Sequence, residues 1–224
     1  MYYIVRAFFL LQMIILLSSC SDSNIRVNLV QSSYETDKVS AKITLPQLEY
    51  RKNQEFADEI CRDLSEIAKS LAENSAKKAE ERNTRASVKI DSAVSCNSNE
   101  LISILIEGEI NCGGAHSEKF RVCRTYDFKT ARRLFLEDIF IDDAWKKAID
   151  AELLRRVEEE NEYKELWEMP SSKNLNFENF YLRNNGEIVF FYPPYDLSYY
   201  RRSFVEFSFT KEEISGYIRP EFRI

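Results

Sequence analysis

The spacing of apolar residues along the chain predicts two helices. In the first, over residues 51–82, apolar side chains recur every three or four positions and form one stripe, made of Phe56, Ile60, Leu64, Ile67 and Leu71. Beyond this stripe the apolar residues are alanines, so this end of the helix is expected to be exposed or to lie close against a sheet. The second helix begins near Ala144, after a capping Asp142 or Asp143. Its apolar face is formed by Trp145, Ile149, Leu153 and Val157.

Alternating apolar and polar residues predict strands elsewhere. The predicted strands cover residues 25–34, 39–45, 86–94, 102–110, 120–128, 180–183, 188–192 and 204–209. In the fourth strand, Ser103, Glu107 and Glu109 share a polar face, which is typical of a half-buried antiparallel strand. Asn185-Gly186 predicts a two-residue hairpin turn. The order of elements predicts an α+β fold of antiparallel sheets, with a long N-terminal helix and a second helix packed on one face.

The N-terminus has the pattern of a secretory signal. Residues 7–17 are almost entirely apolar, a run well short of the ~20 residues that cross a bilayer. The run ends in Leu17-Ser18-Ser19-Cys20, which resembles the bacterial lipobox. This resemblance implies that residues 1–19 are removed as a signal peptide, that lipid attaches to Cys20, and that residues 20–24 form a tether. The alternative is an uncleaved membrane anchor that happens to contain a cysteine.

Such an anchor predicts a lipoprotein of the cell envelope, on its periplasmic or extracellular face, with the membrane as its first partner. Ser21, the residue after Cys20, favours the outer membrane if the host is Gram-negative. The net charge is -6 with acidic and basic residues mixed, so the chain is a poor general ligand for nucleic acid. Hydrophobic residues make up 44% of the sequence, which is enough for a folded core.

Four cysteines remain besides Cys20, and an even number in an exported chain suggests two disulfides. We predict the pairs Cys61–Cys96 and Cys112–Cys123. Cys61 lies ~30 Å before the end of the first helix and Cys96 lies ~33 Å along the strand that runs back beside it, so both reach the same level. Cys112 and Cys123 flank one loop, but their strand positions have opposite parity, and only a bulge would let them meet. A zinc site is the alternative, although no Cys-x-x-Cys pair is present.

The loop of Gly113, Gly114 and His116 is the first candidate recognition segment. Its glycines permit close approach of a ligand, and adjacent N–H groups can hold an anion. The alternative is a tight connection between strands. His116 is the only histidine, whereas zinc hydrolysis generally takes several protein ligands, and no nucleophile-elbow motif accompanies it. We therefore expect no metal and no cofactor.

The second candidate segment, residues 192–202, is rich in tyrosine and arginine, which are typical anchors of protein interfaces. Its candidate binding residues are Tyr192, Tyr195, Tyr199, Tyr200 and Arg201. One alternative is a proline-kinked loop whose tyrosines cover the second helix. Another is that a glycan strand stacks on these rings.

A series of motifs in the second half of the sequence resembles a bacterial cell-envelope family. The motifs are Gly-Gly-Ala-His at 113–116, Tyr-Asp-Phe-Lys-Thr at 126–130, LFLEDIF at 134–140, Phe-Tyr-Leu at 180–182, Gly186, Val-Phe-Phe at 189–191 and Tyr-Pro-Pro-Tyr-Asp at 192–196. Members of this family include the lysozyme-sensing extracellular domain of the anti-sigma-V factor and the non-catalytic domain of the peptidoglycan deacetylase PdaC. A strand that ends at Leu45-Pro46-Gln47-Leu48 before a long helix also fits, so the resemblance covers nearly all of the mature chain.

The resemblance implies a PdaC-like part over residues 25–110 and a part over residues 111–224 similar to the anti-sigma-V factor, together in one compact unit. It implies a binding module rather than an enzyme, with lysozyme or a cell-wall fragment as the partner. The alternative is an uncharacterised envelope hydrolase that uses His116. The chain departs from the family pattern at Ala131, where glycine is common, and at Ser117, where glycine or proline is usual. Its segment 199–203 also lacks the small residues common there.

We predict that the mature protein begins at Cys20 and carries lipid on this residue. A Cys20→Ala variant should retain residues 1–19 and lack the lipid mass, because the thiol that accepts the lipid is gone. Mass spectrometry of the N-terminal peptide tests this, with Cys61→Ala as the control that keeps the lipid. An unmodified Cys20 or an intact Met1 in the unaltered protein would contradict the prediction.

Overall fold

The computed structural model describes residues 25–98, 100–114, 116–159, 166, 168, 170–171, 173, 175–197 and 203–222. In chain order these residues form β1 (Arg26–Glu35), β2 (Val39–Glu49), α1 (Gln54–Glu81), β3 (Ala86–Asn97), β4 (Leu101–Asn111), β5 (Glu118–Asp127), β6 (Arg132–Arg133), α2 (Leu136–Ile139), α3 (Ala144–Glu159), β7 (Phe180–Leu182), β8 (Ile188–Tyr192), β9 (Val205–Phe209) and α4 (Lys211–Ile214). Strands β1 to β6 form one sheet in that order, and β7, β8 and β9 form a second sheet. None of the helices in these ranges is long and apolar enough to span a membrane.

The chain divides into two compact units that are discontinuous in sequence. The first contains the described residues up to Ala93 together with Ile106–Arg121, and the second contains Val94–Leu105 and the described residues from Val122 onward. Strands β3, β4 and β5 contribute residues to both units.

Strand pairing in the first unit is mixed. Strands β1 and β2 form an antiparallel hairpin in which Arg26 lies opposite Glu49 and Glu35 opposite Ser40. Strands β2 and β3, however, pair in parallel, with Val39 opposite Ala86. Helix α1, which is 28 residues long, connects them. It returns the chain to the end of the sheet at which β2 begins, as a parallel pair requires. The prediction of purely antiparallel sheets is wrong at this pair.

Helix α1 packs against β2 through small residues as well as large ones. Its N-terminus is capped by Asn53, whose side chain accepts a hydrogen bond from Phe56 N at 3.1 Å. Of the predicted stripe, Ile67 and Leu71 are only partly buried. The buried face consists instead of Phe56, Ala57, Ile60, Leu64, Ala68, Ala72, Ser75 and Ala79. The far end of the helix thus lies close against the sheet, because alanine permits a short distance between backbones.

Strand β4 is buried on both faces over its first six residues, Leu101–Ile106. This corrects the prediction of a half-buried strand. The predicted polar side is covered in the second unit by a cluster of Leu105, Cys123, Tyr181, Val189 and Phe191. Ser103, which has no exposed surface, satisfies its hydroxyl with Thr125 Oγ1 at 2.9 Å and Leu182 N at 3.2 Å.

The larger core of the second unit is aromatic. The Trp145 ring stacks on Phe140 at 4.5 Å and on Phe190 at 5.9 Å between centroids, and Phe209 meets Phe190 edge-on at 5.7 Å. Trp145 lies in the first turn of α3, whose N-terminus is capped as predicted because Asp142 Oδ1 accepts a hydrogen bond from Ala144 N at 2.8 Å.

The turn between β7 and β8 differs from the predicted two-residue form. Gly186 N donates to Arg183 O at 3.0 Å, so Asn184 and Asn185 are the central residues. Gly186 follows them with φ of +85°, and Arg183 N donates to Glu187 O at 3.0 Å. This is a longer hairpin loop, in which the glycine supplies the left-handed residue after the turn.

The four cysteines of the described residues are free thiols, so neither predicted disulfide is present. In the first unit, Cys61 Sγ accepts a hydrogen bond from Leu48 N at 3.3 Å, and Cys112 Sγ donates to Ser75 O at 3.5 Å. Cys96 and Cys123 are buried in the two cores of the second unit. The four thiols thus lie in separate environments. Burial raises the pKa of the Cys61 thiol and of the Cys96 thiol.

A cluster of charged side chains fixes α3 to the end of the second sheet. Arg156 donates to Glu152 at 2.7 Å, to Glu213 at 2.8 Å and to Ser208 O at 2.6 Å. Arg155 donates two further hydrogen bonds to Glu152, at 2.9 and 2.6 Å. Hydrogen bonds from Arg155, the largest cause, and from Arg156 lower the pKa of Glu152 to about 2, although burial opposes this.

We predict that Glu152→Gln lowers the free energy of unfolding at neutral pH by about 1 to 2 kcal/mol, because charge-assisted hydrogen bonds are lost. Folding lowers the pKa of Glu152. The contribution of Glu152 to the free energy of unfolding is therefore present above about pH 4.5 and is lost as the pH falls toward about 2. Denaturant unfolding at several pH values checks this. The control is Glu159→Gln, because Glu159 pairs with Arg155 at a more exposed position. Equal losses in both variants, or a Glu152 effect that persists at pH 2, would contradict the assignment.

Candidate functional site

The Gly-Gly-Ala-His loop joins β4 to β5 and is fastened to the end of α1. Thr84 Oγ1, just after the helix, donates to Cys112 O at 2.9 Å, and Asn111 Oδ1 accepts a hydrogen bond from Gly113 N at 2.8 Å. Gly113 has φ of +85°, and a Cβ atom there would lie within 2.6 Å of Thr84. Gly113 is thus required by the backbone, and its N–H group is already used inside the loop.

The other two candidate residues of this loop are exposed. A Cβ atom on Gly114 would meet nothing nearer than His116 O at 3.7 Å, and Ala115 lies outside the described residues. Within the part of the chain that the structure describes, the His116 side chain forms no ion pair and no hydrogen bond. Nor do the described residues contain three or more His, Cys, Asp or Glu side chains grouped to hold a metal ion.

Tyr192 belongs to the core rather than to a binding surface. Its side chain is 1% exposed, and its ring meets Phe207 edge-on at 6.1 Å between centroids. Its hydroxyl donates to Ser171 O at 2.8 Å, and burial raises the pKa of this phenol. Tyr192 is therefore not available to a partner, which corrects its prediction as a binding residue.

Tyr195, three residues later, is 50% exposed and has φ of 72°. It is the third residue of a turn formed by Pro193 to Asp196, in which Asp196 N donates to Pro193 O at 3.3 Å. A left-handed conformation is costly for a residue with a Cβ atom, and such residues concentrate at functional sites. Burial, followed by the charge of Glu168, raises the pKa of the adjacent Asp196.

Four of the predicted site residues lie outside the described residues. They are the lipidation residue Cys20 and the candidate binding residues Tyr199, Tyr200 and Arg201. Of the second candidate segment, the structure therefore describes one exposed aromatic anchor, Tyr195.

The second unit also has an exposed aromatic surface that was not predicted from the sequence. We call it the aromatic–arginine surface, and it consists of Arg133, Phe135, Lys146, Phe177 and Glu178. Phe135 and Phe177 are 41% and 37% exposed, and each ring has a cation over it, Arg133 at 4.5 Å and Lys146 at 4.7 Å from the ring centroids. Arg133 also forms an ion pair with Glu178, with 3.2 Å between nitrogen and oxygen, and this pair links the part of the surface around Phe135 to the part around Phe177. Phenylalanines within apolar segments are usually core residues, so composition alone could not identify this surface.

The Asp-x-Lys-Thr motif has a structural role. Asp127 accepts hydrogen bonds from Lys129 N and Thr130 Oγ1, both at 2.8 Å, and thereby holds the turn between β5 and β6. The next residue, Ala131, has φ of 51°. This left-handed conformation gives a physical reason for glycine to be common at this position, and the chain has alanine there at some cost in strain.

Comparison with protein families confirms the resemblance. Residues 32–118 match the model described as deacetylase PdaC, and residues 137–212 match that of a protein family of unknown function, DUF3298. The two matches follow one another along the chain. Among curated proteins, none matches this sequence.

Two solved structures share the fold. A DUF3298-family protein from Bacteroides fragilis NCTC 9343 is 18% identical, with a TM-score of 0.64 over 87% of this chain and 93% of that chain. A DUF3298-family protein from Pseudomonas aeruginosa PAO1 is 16% identical, with a TM-score of 0.56 over 88% of this chain and 94% of that chain. At these identities the similarity defines the fold and not the ligand.

The two loop glycines provide a matched pair of variants. We predict that Gly113→Ala lowers the free energy of unfolding by more than ~2 kcal/mol, because it combines a left-handed backbone with a collision against Thr84. Gly114→Ala should change it by less than ~0.5 kcal/mol, since the added methyl group meets open space. Thermal and denaturant unfolding of both variants tests this. A neutral Gly113→Ala would show that the loop adapts and that Gly113 is not a structural requirement.

Proposed function

We propose that this chain is a lipid-anchored binding module of the bacterial cell envelope, which recognises a protein such as lysozyme or a fragment of the cell wall. The sequence Leu17-Ser18-Ser19-Cys20 supports the anchor, and the two consecutive family matches support a role at the envelope. The anchor holds the folded units within reach of the membrane, because the tether between Cys20 and the start of β1 is short.

The observation that carries the binding role is the conformation of Tyr195. Its ring is half-exposed on a backbone held in a left-handed conformation, directly after Pro193 and Pro194. Prolines restrict the backbone, so the ring is presented with little entropy left to lose on binding. Tyrosine contributes both apolar area and a hydroxyl group, which is the combination that interface anchors use.

The aromatic–arginine surface is a second place where the same unit can contact a partner. A contiguous exposed patch of apolar side chains often marks an interaction site. Phe135 and Phe177 combine exposed area with adjacent charges that favour a defined orientation. Tyr195 and this surface are distinguishable by mutation because they share no residue.

We predict that Tyr195→Ala weakens binding of the partner at least about tenfold, which corresponds to ~1.4 kcal/mol. Tyr195→Gly should weaken binding equally and yet increase stability, because glycine accepts the left-handed backbone. Binding of lysozyme and of soluble cell-wall fragments, measured in parallel by calorimetry, identifies the class of partner.

The matched control is Leu154→Ala, which removes an equally exposed apolar side chain from α3. Unchanged affinity in both Tyr195 variants would exclude this residue as an anchor. Loss of affinity in Phe135→Ala and Phe177→Ala alone would move the binding site to the aromatic–arginine surface. If neither lysozyme nor cell-wall fragments bind, the proposed partners are wrong.

A further inference from the structure

The described part of the chain begins at a point that is fixed in the first unit. Ile25 is 2% exposed, and from Arg26 onward the chain is held in β1, where Arg26 lies opposite Glu49. Cys20 precedes Ile25 by five positions, so their Cα atoms are at most ~18 Å apart. A lipid on Cys20 therefore keeps this end of the first unit close to the membrane surface.

Three elements of the first unit meet at this end. They are the start of β1, the end of β2 and the start of α1. The turn between β2 and α1 is closed by a hydrogen bond from Asn53 N to Tyr50 O at 3.1 Å, which leaves Arg51 and Lys52 as its central residues. Both side chains are exposed, and so is that of Arg26. The end of the unit nearest to the lipid thus has three exposed cations.

We propose that Arg26, Arg51 and Lys52, which we call the membrane-facing cations, bind the phosphate groups of membrane lipids. Arginine and lysine side chains donate hydrogen bonds to phosphate oxygens, and each of them is attracted to an anionic membrane surface. This contact rests on the proposed lipid anchor at Cys20, and it defines which surface of the first unit faces the bilayer. The membrane is the partner that the short tether already holds within reach of these side chains.

The ion pairs of the first unit leave these cations available. Within the described residues, none of the membrane-facing cations forms an ion pair. At the opposite end of the unit, Lys38 pairs with Glu80 at 3.3 Å and Arg85 pairs with Glu35 at 2.5 Å. A cation without an internal partner loses no existing contact when it binds a lipid phosphate.

The carboxylates nearest to this end are set back from the turn. Glu49 is the last residue of β2. Glu55, Asp58 and Glu59 follow in α1, ~2, ~6 and ~8 Å along the helix axis from its first residue. With α1 directed away from the bilayer, lipid headgroups meet the two cations of the turn before they meet these acids.

The same orientation places the loop of Gly113, Gly114 and His116 away from the membrane. Helix α1 has 28 residues and is therefore ~42 Å long. The loop is fastened to the far end of this helix, where Thr84 Oγ1 donates to Cys112 O at 2.9 Å. A large partner in the surrounding space can thus reach this loop without competing with the membrane.

Amine labelling of two lysines tests this orientation. Lys52 and Lys77 are both exposed and lie near the two ends of α1, ~40 Å apart. The lipidated full chain is bound to vesicles of phosphatidylethanolamine and phosphatidylglycerol, and mass spectrometry measures the labelling rate of each lysine. The reference is a variant with about twenty glycine and serine residues and a protease site inserted between Asn24 and Ile25. Its chain, released from the vesicle, gives the labelling rates in solution.

We expect Lys52 to be labelled at least about threefold more slowly on the vesicle than in the released chain, because lipid headgroups cover the turn. Lys77 should be labelled at the same rate in both states, since the far end of α1 is remote from the bilayer. An unchanged rate at Lys52, or equal slowing of both lysines, would overturn the orientation.

Charge reversal tests the contact with headgroups. It is measured on the lengthened tether before release, because the tether then no longer forces the turn onto the membrane. Arg51→Glu should remove the slower labelling of Lys52 that remains there, since it replaces attraction to phosphate by repulsion. The matched control is Arg82→Glu, an equally exposed arginine just after α1, which should leave the labelling unchanged. Each variant is compared with its own released chain.

No slowing of Lys52 on the lengthened tether, no effect of Arg51→Glu, or an equal effect of Arg82→Glu would overturn the contact with headgroups. Flotation of the protein with the vesicles measures the anchor separately. A chain that does not float has no lipid anchor, and this would contradict both the proposed anchor and the inference that rests on it. A chain that floats while Lys52 stays unprotected would contradict the inference alone.

Discussion

The first unit depends on how closely α1 can approach its sheet. The alanines Ala68, Ala72 and Ala79 let the helix backbone lie directly against the sheet, and larger side chains there would hold it away. This short distance brings the end of the helix to the loop after β4, where Thr84 donates to Cys112 O. The same helix returns the chain so that β3 pairs in parallel with β2, and among the described strands β1 has one neighbour, β2.

The regular elements could be predicted from the sequence because their periodicity is local. A helix over Gln54–Glu81 lies within the predicted range 51–82, another begins at Ala144, and the strand ranges largely agree. The direction of pairing could not be predicted, because the alternation of apolar residues in β2 and β3 is the same for parallel and antiparallel neighbours. The burial of Ser103 could not be predicted for a similar reason. In a sequence, a buried polar residue with internal hydrogen-bond partners has the same pattern as a surface residue.

In the candidate site too, the sequence pattern does not distinguish buried from exposed residues of one type. Tyr192 and Tyr195 are of one residue type in one motif, yet Tyr192 is the last residue of β8 and points into the core, whereas Tyr195 is in the turn and exposed. Likewise Gly113 has a left-handed backbone against Thr84, and the neighbouring Gly114 has open space. Composition identifies such segments, but only the three-dimensional course of the backbone separates the two members of each pair.

The motifs by which the chain resembles these two families therefore describe how it folds more than what it binds. Asp127 holds a turn, Gly113 and Gly186 occupy left-handed positions, and Tyr192 fills the core. Residues under such constraints can recur in relatives with different ligands, because the fold needs them whatever the partner is. Specificity then rests on exposed side chains that the fold does not require. Among the described residues, the exposed rings of Tyr195, Phe135 and Phe177 are side chains of this kind, which is why the proposed binding role is placed on them.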